Sequence, residues 1–254
     1  MRVQDAVRRA LLLEKALAPV ERLLYLCVLE SQPRSLTGLA AASGISRPVV
    51  SRACGRLVKL GWLSTTGSSR RRRPFAAIPP RLQGDLAAGL EALYDAARNK
   101  GEFLMKCYLD VAVASGDFVD CARPGFLANP STGEPLEYDR YYLVGVAFEF
   151  NGAQHYLPDA SFQSLADHQA LLERDRLKRQ LSEEAGIKLV DVVAADLRPE
   201  RLEELIPAEL PAAPIHREGR YFGKLAKICR AYAAKAARAE GQLRSELSAG
   251  PPAR

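Results

Sequence analysis

Apolar residues return at helical spacing from Val20 to Glu30, where Leu23, Leu24, Leu26, Cys27 and Val28 recur until Gln32-Pro33 breaks the pattern. This predicts an amphipathic helix. In the following SLTGLAAASGISRPVVSRACGRLVKLGWL, Leu36, Leu39 and Ala40 mark a short helix, Gly44 permits a tight turn and Ile45 fills the corner. Ser46 then caps another helix, with Arg47 and Pro48 in its first turn. Val50, Cys54, Leu57 and Val58 are expected on its core face, which turns Arg47, Ser51, Arg52 and Arg56 outward. GWLSTT reads as a strand, GSSRRRRP as a glycine-led basic turn and FAAIP as a returning strand.

Further along, Leu82 to Arg98 is helical in pattern, and GEFLMKCYLDVAV predicts a helix with Glu102 in its first turn. An irregular, partly extended stretch runs through Phe118, Phe126 and Pro130. LEYDRYYLVGVAFEFNGAQHY then reads as two strands that bend near Val144-Gly145. SFQSLADHQALLERDRLKRQLSEEAGI is a helix, and IKLVDVVAA a buried strand returning parallel to its neighbour through that helical crossover. From Arg217 to Leu247 an Ala-rich, basic helical pattern carries Phe222, Leu225, Ile228 and Tyr232 along one stripe. That helix is read as packing on the preceding domain or on another subunit, with DNA contact by its Lys/Arg face as the alternative.

Composition adds a sharp asymmetry. The chain of 254 residues has a net charge of +6, yet residues 1–80 hold 14 Lys and Arg against 4 Asp and Glu. The basic excess lies at one end, as a polyanion-binding surface requires, because neutralising phosphates releases counterions. Five cysteines without a C-x-x-C pair fit reduced thiols, and the apolar run after MRVQDAVRR is too short and too charged for a signal peptide or a spanning helix. A cytoplasmic location and no membrane partner are expected. The length suits two modest domains.

The helix pair with its basic hairpin, residues 20 to 80, resembles the winged helix-turn-helix of MarR-type regulators. The resemblance implies a partner, double-stranded DNA. Ser46, Arg47, Ser51, Arg52 and Arg56 would meet the major groove, and Arg70, Arg71, Arg72 and Arg73 at the hairpin tip would follow the backbone or enter the minor groove.

In the second half, alternation along strands places Glu137 and Asp139 on one face and Glu149 and Asn151 on one face, with Phe148 and Phe150 pointing to a core. Converging carboxylates suit a hard divalent cation such as Mg²⁺. Gly152 then permits a turn toward Gln154, His155 and Tyr156, and an imidazole there suits general-base work. The E-x-N-G-x-Q-H-Y arrangement resembles the active-site strand of the very short patch repair endonucleases and related homing endonucleases, the EDxHD branch of the PD-(D/E)xK superfamily, from Gly101 to Ala195. The resemblance implies that Glu102, Asp139, Glu149 and His155 match the family's first-helix Glu, metal-binding Asp, strand acid and reactive His. Asp175, with Lys178 in an R-D-x-x-K pattern, would add an acid and a base. Asp139 and Glu149 would hold Mg²⁺ or Mn²⁺. The lysine expected two residues after the strand acid is replaced by Asn151.

The fold class expected is therefore α/β (α+β): a winged helix-turn-helix over 1–80, a helical linker over 81–100, a restriction-endonuclease-like αβββαβ core over 101–215 and a basic C-terminal helix and tail over 216–254. The function expected is metal-dependent DNA cleavage targeted by the winged helix, as a homodimer or with a partner protein. The rivals are a transcriptional regulator with an inactive nuclease-like domain, and a transposase- or defence-system subunit that cuts only with partners.

Overall fold

The computed structural model describes residues 3–67, 72–152, 165–213 and 217–248. The chain packs into two units, the first made of Met1–Ala96, Cys107–Ala114 and Pro211–Leu225, the second of Ala97–Lys106, Ser115–Leu210 and Ala226–Arg254. No described helix is long and apolar enough to cross a membrane.

The first unit contains α1 (Val3–Leu13), α2 (Pro19–Ser31), α3 (Leu36–Ser43), α4 (Arg47–Lys59), β1 (Leu63–Thr66), β2 (Arg73–Ala76) and α5 (Pro80–Ala96). Pro19 opens α2, and the Glu21 carboxylate accepts the Ala18 N–H at 2.7 Å. The buried face of α2 is Glu21, Leu24, Tyr25, Val28 and Leu29, which keeps the helical repeat but rotates it from the face expected, leaving Leu23 exposed. Ser35 caps α3 by accepting the Gly38 N–H at 3.0 Å, and Gly44 ends it at φ 68°, a left-handed conformation suited to glycine. Ser46 occupies the N-cap of α4, but only its carbonyl is used, accepting the Val50 N–H at 3.0 Å; its side chain makes no capping bond. Val50, Ala53, Cys54 and Leu57 form the buried stripe of α4, while Val58, expected in the core, falls on the flank in the last turn and is exposed.

The strands β1 and β2 pair antiparallel from Leu63↔Ala76 to Thr66↔Arg73, a hairpin as expected, although Arg73 and Pro74, expected in the turn, belong to its second strand and residues 68–71 lie outside the described residues. The hairpin's base is held to α2. The Tyr25 and Trp62 rings meet edge-on at 5.4 Å, and the Tyr25 hydroxyl donates to the Ala77 carbonyl at 3.2 Å.

The second unit carries β3 (Phe118–Ala122), β4 (Tyr138–Tyr142), β5 (Val146–Asn151), α7 (Leu165–Glu184), β6 (Lys188–Val193) and α8 (Pro199–Leu205). The helices α6 (Lys100–Ala112) and α9 (Arg220–Ser248) each contribute residues to both units. The sheet order is β3-β4-β5-β6, with the first three antiparallel and β6 parallel to β5. A parallel return needs a crossover, and α7 supplies it. The stretch through Phe118 is a true strand with a bulge at Cys121, whose φ is 54° and which the register skips between Asp120↔Arg140 and Ala122↔Tyr138. β6 was expected to be buried, but it is the last strand of the sheet and only Val192 along it is buried.

One core cluster joins Leu127, Leu136, Tyr138 and Ala147 to Leu177 and Leu181 of α7. The Ser182 hydroxyl donates to the Lys178 carbonyl at 2.6 Å and so accepts from the Tyr138 hydroxyl, also at 2.6 Å. Arg140 is 1% exposed and is the largest wholly buried side chain among the described residues. It grips Asp120 through two nitrogens at 2.7 and 3.1 Å, donates to the Lys106 carbonyl at 3.3 Å and lies 4.0 Å over the Phe118 ring. On α9 the buried stripe is Phe222, Leu225, Cys229 and Ala233, while Ile228 and Tyr232, expected along it, are half-buried.

Candidate functional site

In the first unit α4 presents Ser46, Arg47, Ser51 and Arg52 to solvent, as the periodicity predicts. Arg47, Arg52 and the exposed Arg72 form no ion pair with a described residue. Arg56 is also exposed but engaged: one nitrogen donates to the Ala16 carbonyl at 2.7 Å, and Nε lies 3.5 Å from the buried carboxylate of Glu21. It braces α4 on α2. The Arg73 guanidinium stacks over Phe75, 4.8 Å from the ring centroid. Arg70 and Arg71 lie outside the described residues.

In the second unit the sheet register builds an acidic site. Because Arg140 pairs with Phe148, Asp139 and Glu149 fall side by side one step further along β4 and β5. The Phe150 N–H donates to Asp139 Oδ2 at 2.7 Å, which fixes that carboxylate against the neighbouring strand. Glu102, in the first turn of α6, completes the group. These three carboxylates line one cavity of about 440 Å³ together with Arg98, Lys100, Phe150 and Tyr232. Gly101 makes the close approach possible, since a Cβ there would sit 2.1 Å from the Phe150 ring. Phe150, expected in the core, is instead half-buried at the cavity and meets Tyr232 edge-on at 6.2 Å.

Each carboxylate has a cation or an amide beside it. Lys106 pairs with Glu102 one turn along α6, where Asn99 also donates to Glu102 at 3.0 Å. Lys178 of α7 pairs with Glu149 Oε1. Glu149 Oε2 is buried and has no hydrogen-bond partner among the described residues. Burial lifts the Glu149 carboxyl to about 7, against the pull of Lys178 and with a push from Asp139. Burial likewise lifts Asp139 to about 6, opposed by the Phe150 N–H and reinforced by Glu102.

Of the expected residues, Glu102, Asp139 and Glu149 thus share a cavity. Asp175 is half-buried on α7 and is not part of the lining. His155 lies outside the described residues. Glu137, expected beside Asp139, precedes β4 and pairs with Arg123 at 2.8 Å. Asn151 is buried and donates to Asp191 on β6 at 2.8 Å, so it takes no part in the cavity. The sequence reading did not anticipate Arg98, Lys100, Lys106 or Tyr232. Only Lys106 had a local signal, its i,i+4 spacing from Glu102.

Among the described residues no three His, Cys, Asp or Glu side chains group closely enough to hold a metal ion by themselves. Two carboxylates, one with a buried oxygen that no described residue partners, nonetheless fit Mg²⁺ or Mn²⁺, because Mg²⁺ is commonly bound by one or two carboxylates while water and substrate phosphate complete its shell.

Residues 19–74 match the MarR family. The first unit therefore carries a MarR-type winged helix-turn-helix DNA-binding domain. The chain is also similar to uncharacterized protein 033L of Invertebrate iridescent virus 3, with 40% identity over 75 residues, 28% of this chain and 38% of the viral protein. The chain thus matches well under half the length of that relative. No solved structure matches it significantly.

Proposed function

We propose that this chain binds double-stranded DNA through its winged helix and carries in its second unit a metal-dependent endodeoxyribonuclease. The observation that carries the reading is the convergence of Glu102, Asp139 and Glu149, from a helix and two strands, on one cavity, with a buried Glu149 oxygen that has no partner among the described residues. A polar sheet edge serving only solubility would leave such oxygens in water. The αβββαβ order with a parallel last pair supports the resemblance to restriction-endonuclease-like cores.

Asp139 and Glu149 would hold Mg²⁺ or Mn²⁺, and such an ion, when bound, supplies positive charge to a phosphate under attack and acidifies water near it. The remaining work falls to the chain. The Phe150 N–H keeps Asp139 in place, and Lys106 and Asn99 do the same for Glu102. Arg98 and Lys100 give the cavity a basic rim suited to backbone phosphates. His155 is proposed to take a proton from the attacking water. Arg47, Arg52 and Arg72 would hold the duplex, and the sequence adds Arg70 and Arg71 as candidates for the same role.

The test is conversion of supercoiled plasmid by the purified chain. Nicking or linearisation with Mg²⁺ or Mn²⁺, abolished by EDTA and by Asp139→Asn, is expected. No metal-dependent cutting of intact, mismatched or branched DNA, alone or with a partner protein, would overturn the enzyme reading. The MarR match favours a second reading more directly: a winged-helix transcriptional regulator whose second unit is a catalytically inactive nuclease-like domain. Sequence-selective binding with no cleavage is its signature.

A further inference from the structure

We infer that α9 guides an unpaired DNA strand to the acidic cavity: Lys227, Lys235 and Arg238 follow its phosphates, and Tyr232 stacks one of its bases. This rests on the reading that the cavity meets DNA, and not on whether the cavity cuts.

The cations form a row. At about 100° per residue, Lys227, Ala231, Lys235 and Arg238 fall within one arc of about 80° on α9, and the run from Lys227 to Arg238 rises about 16 Å. All four are exposed. The buried stripe of Phe222, Leu225, Cys229 and Ala233 takes another side of the helix. Two further cations of α9 are matched by acids, Lys224 by Glu91 and Arg230 by Glu200 at 2.6 Å. Lys227, Lys235 and Arg238 form no ion pair with a described residue. A row of unmatched cations on so short a length suits a polyanion, whose condensed counterions it displaces. Ala231, between them, is too short to hold a strand off the helix.

Beside the row stands a ring. Holding an ion or a phosphate calls for oxygens and cations, yet the cavity also has an aromatic wall. Tyr232, half-buried between the basic arc and the buried stripe, meets Phe150 edge-on at 6.2 Å. Phe150 is backed by Gly101, where a Cβ would sit 2.1 Å from its ring, so the pair is held in place. The π face of a base is the part of a nucleotide that such a wall recognises, whatever the sequence. Inside a duplex every base is already stacked and paired, so only an unpaired one reaches the ring. The cavity, at about 440 Å³, falls in the range of small-ligand sites and admits a nucleotide rather than a duplex. Arg98, exposed at its rim, offers a further phosphate contact. The strand is assigned as DNA rather than RNA because residues 19–74 of the same chain match the MarR family.

The test measures binding by the full-length protein in EDTA, where a metal-dependent reaction is silent. Fluorescein-labelled oligo-dT, an abasic strand of equal length, oligo-U and a duplex are titrated by anisotropy over a range of salt. Combining Lys227→Ala, Lys235→Ala and Arg238→Ala should weaken oligo-dT binding by about tenfold or more and lower the slope of log K against log salt by about two, with duplex affinity within about threefold of wild type. Wild type should bind oligo-dT about tenfold more tightly than the abasic strand. Tyr232→Leu should close that gap to within about threefold, and Tyr232→Phe should keep it. The gap is read within each protein, so a loss of stability does not imitate it. An unchanged salt slope in the triple variant overturns the phosphate path. A gap as wide in Tyr232→Leu as in wild type overturns the stacking role. Equal losses on strand and duplex, or tighter binding of oligo-U than of oligo-dT, overturn the assignment to an unpaired DNA strand. Wild type that shows both effects yet cuts no plasmid with Mg²⁺ sinks the enzyme reading and leaves the strand guide standing.

Discussion

In the first unit Arg47 and Arg52 on α4 and Arg72 beside the hairpin, proposed to meet DNA, are exposed and form no ion pair with a described residue, whereas each acid of the second unit's cavity is held by a neighbouring group. A surface that works by neutralising phosphates gains nothing from burial, since its energy comes from releasing counterions. A cavity that holds a cation or moves a proton gains from being partly dry, because charges there act at lower effective dielectric and pKa values move. On the proposed reading, binding and chemistry fall to different physical regimes within one chain, and mutations in each should leave different signatures.

The sharpest contrast is expected from Asp139→Asn combined with Glu149→Gln. Cleavage should fall by about a thousandfold or more, since both proposed ion ligands are lost, while DNA affinity in a gel-shift titration stays within about twofold to threefold. Equal loss of binding and cutting would erase the distinction between the units. The converse variant, Arg47→Ala with Arg52→Ala, should weaken DNA binding by about tenfold to a hundredfold and lower the slope of log K against log salt by about one or two. An unchanged slope would show that α4 does not meet phosphates.

Acid titration offers a smaller and independent signature. Asp139 and Glu149 are raised to about 6 and about 7, so the folded protein retains protons that the unfolded chain releases near pH 4. Their cost to stability is absent below about pH 4, grows as pH rises and is complete above about pH 7. Asp139→Asn should therefore raise the melting temperature at pH 8 in EDTA by several degrees, equivalent to roughly 2 kcal/mol, and the gain should shrink as pH is lowered toward 4. A gain that does not depend on pH would mean that Asp139 carries no such penalty. The smallest effect belongs to Arg56→Ala. Because that guanidinium braces Glu21 and the Ala16 carbonyl, thermal melting should show a loss of about 1 kcal/mol with the salt slope of DNA binding unchanged. A flatter slope would return Arg56 to the group of phosphate contacts.

The two units also differed in how far they could be read from residue order. The helix pair and basic hairpin were legible because helical repeats, the left-handed turn at Gly44 and strand alternation are local signals. The errors there were small rotations, such as Leu23 on the wrong face of α2 and Val58 counted in the core. In the second unit alternation singled out Asp139 and Glu149, though it put Glu137 and Asn151 with them, and the helical crossover made the parallel return of β6 legible. The cavity's other walls were not. Arg98, Lys100 and Tyr232 come from a helix approach and a distant C-terminal helix, and no spacing rule connects position 232 to position 149. The buried position of Asn151 depends on Asp191, forty residues on, and is decided by strand pairing alone.

Arg140 has a consequence for how the cavity tolerates its changing charges. A guanidinium keeps its proton across the range in which Asp139 and Glu149 change charge, so its place over the Phe118 ring and its bond to the Lys106 carbonyl do not depend on theirs. Strand β4 thus carries a titrating carboxylate next to a permanent rivet. The frame around Asp139 should hold its shape while occupants come and go.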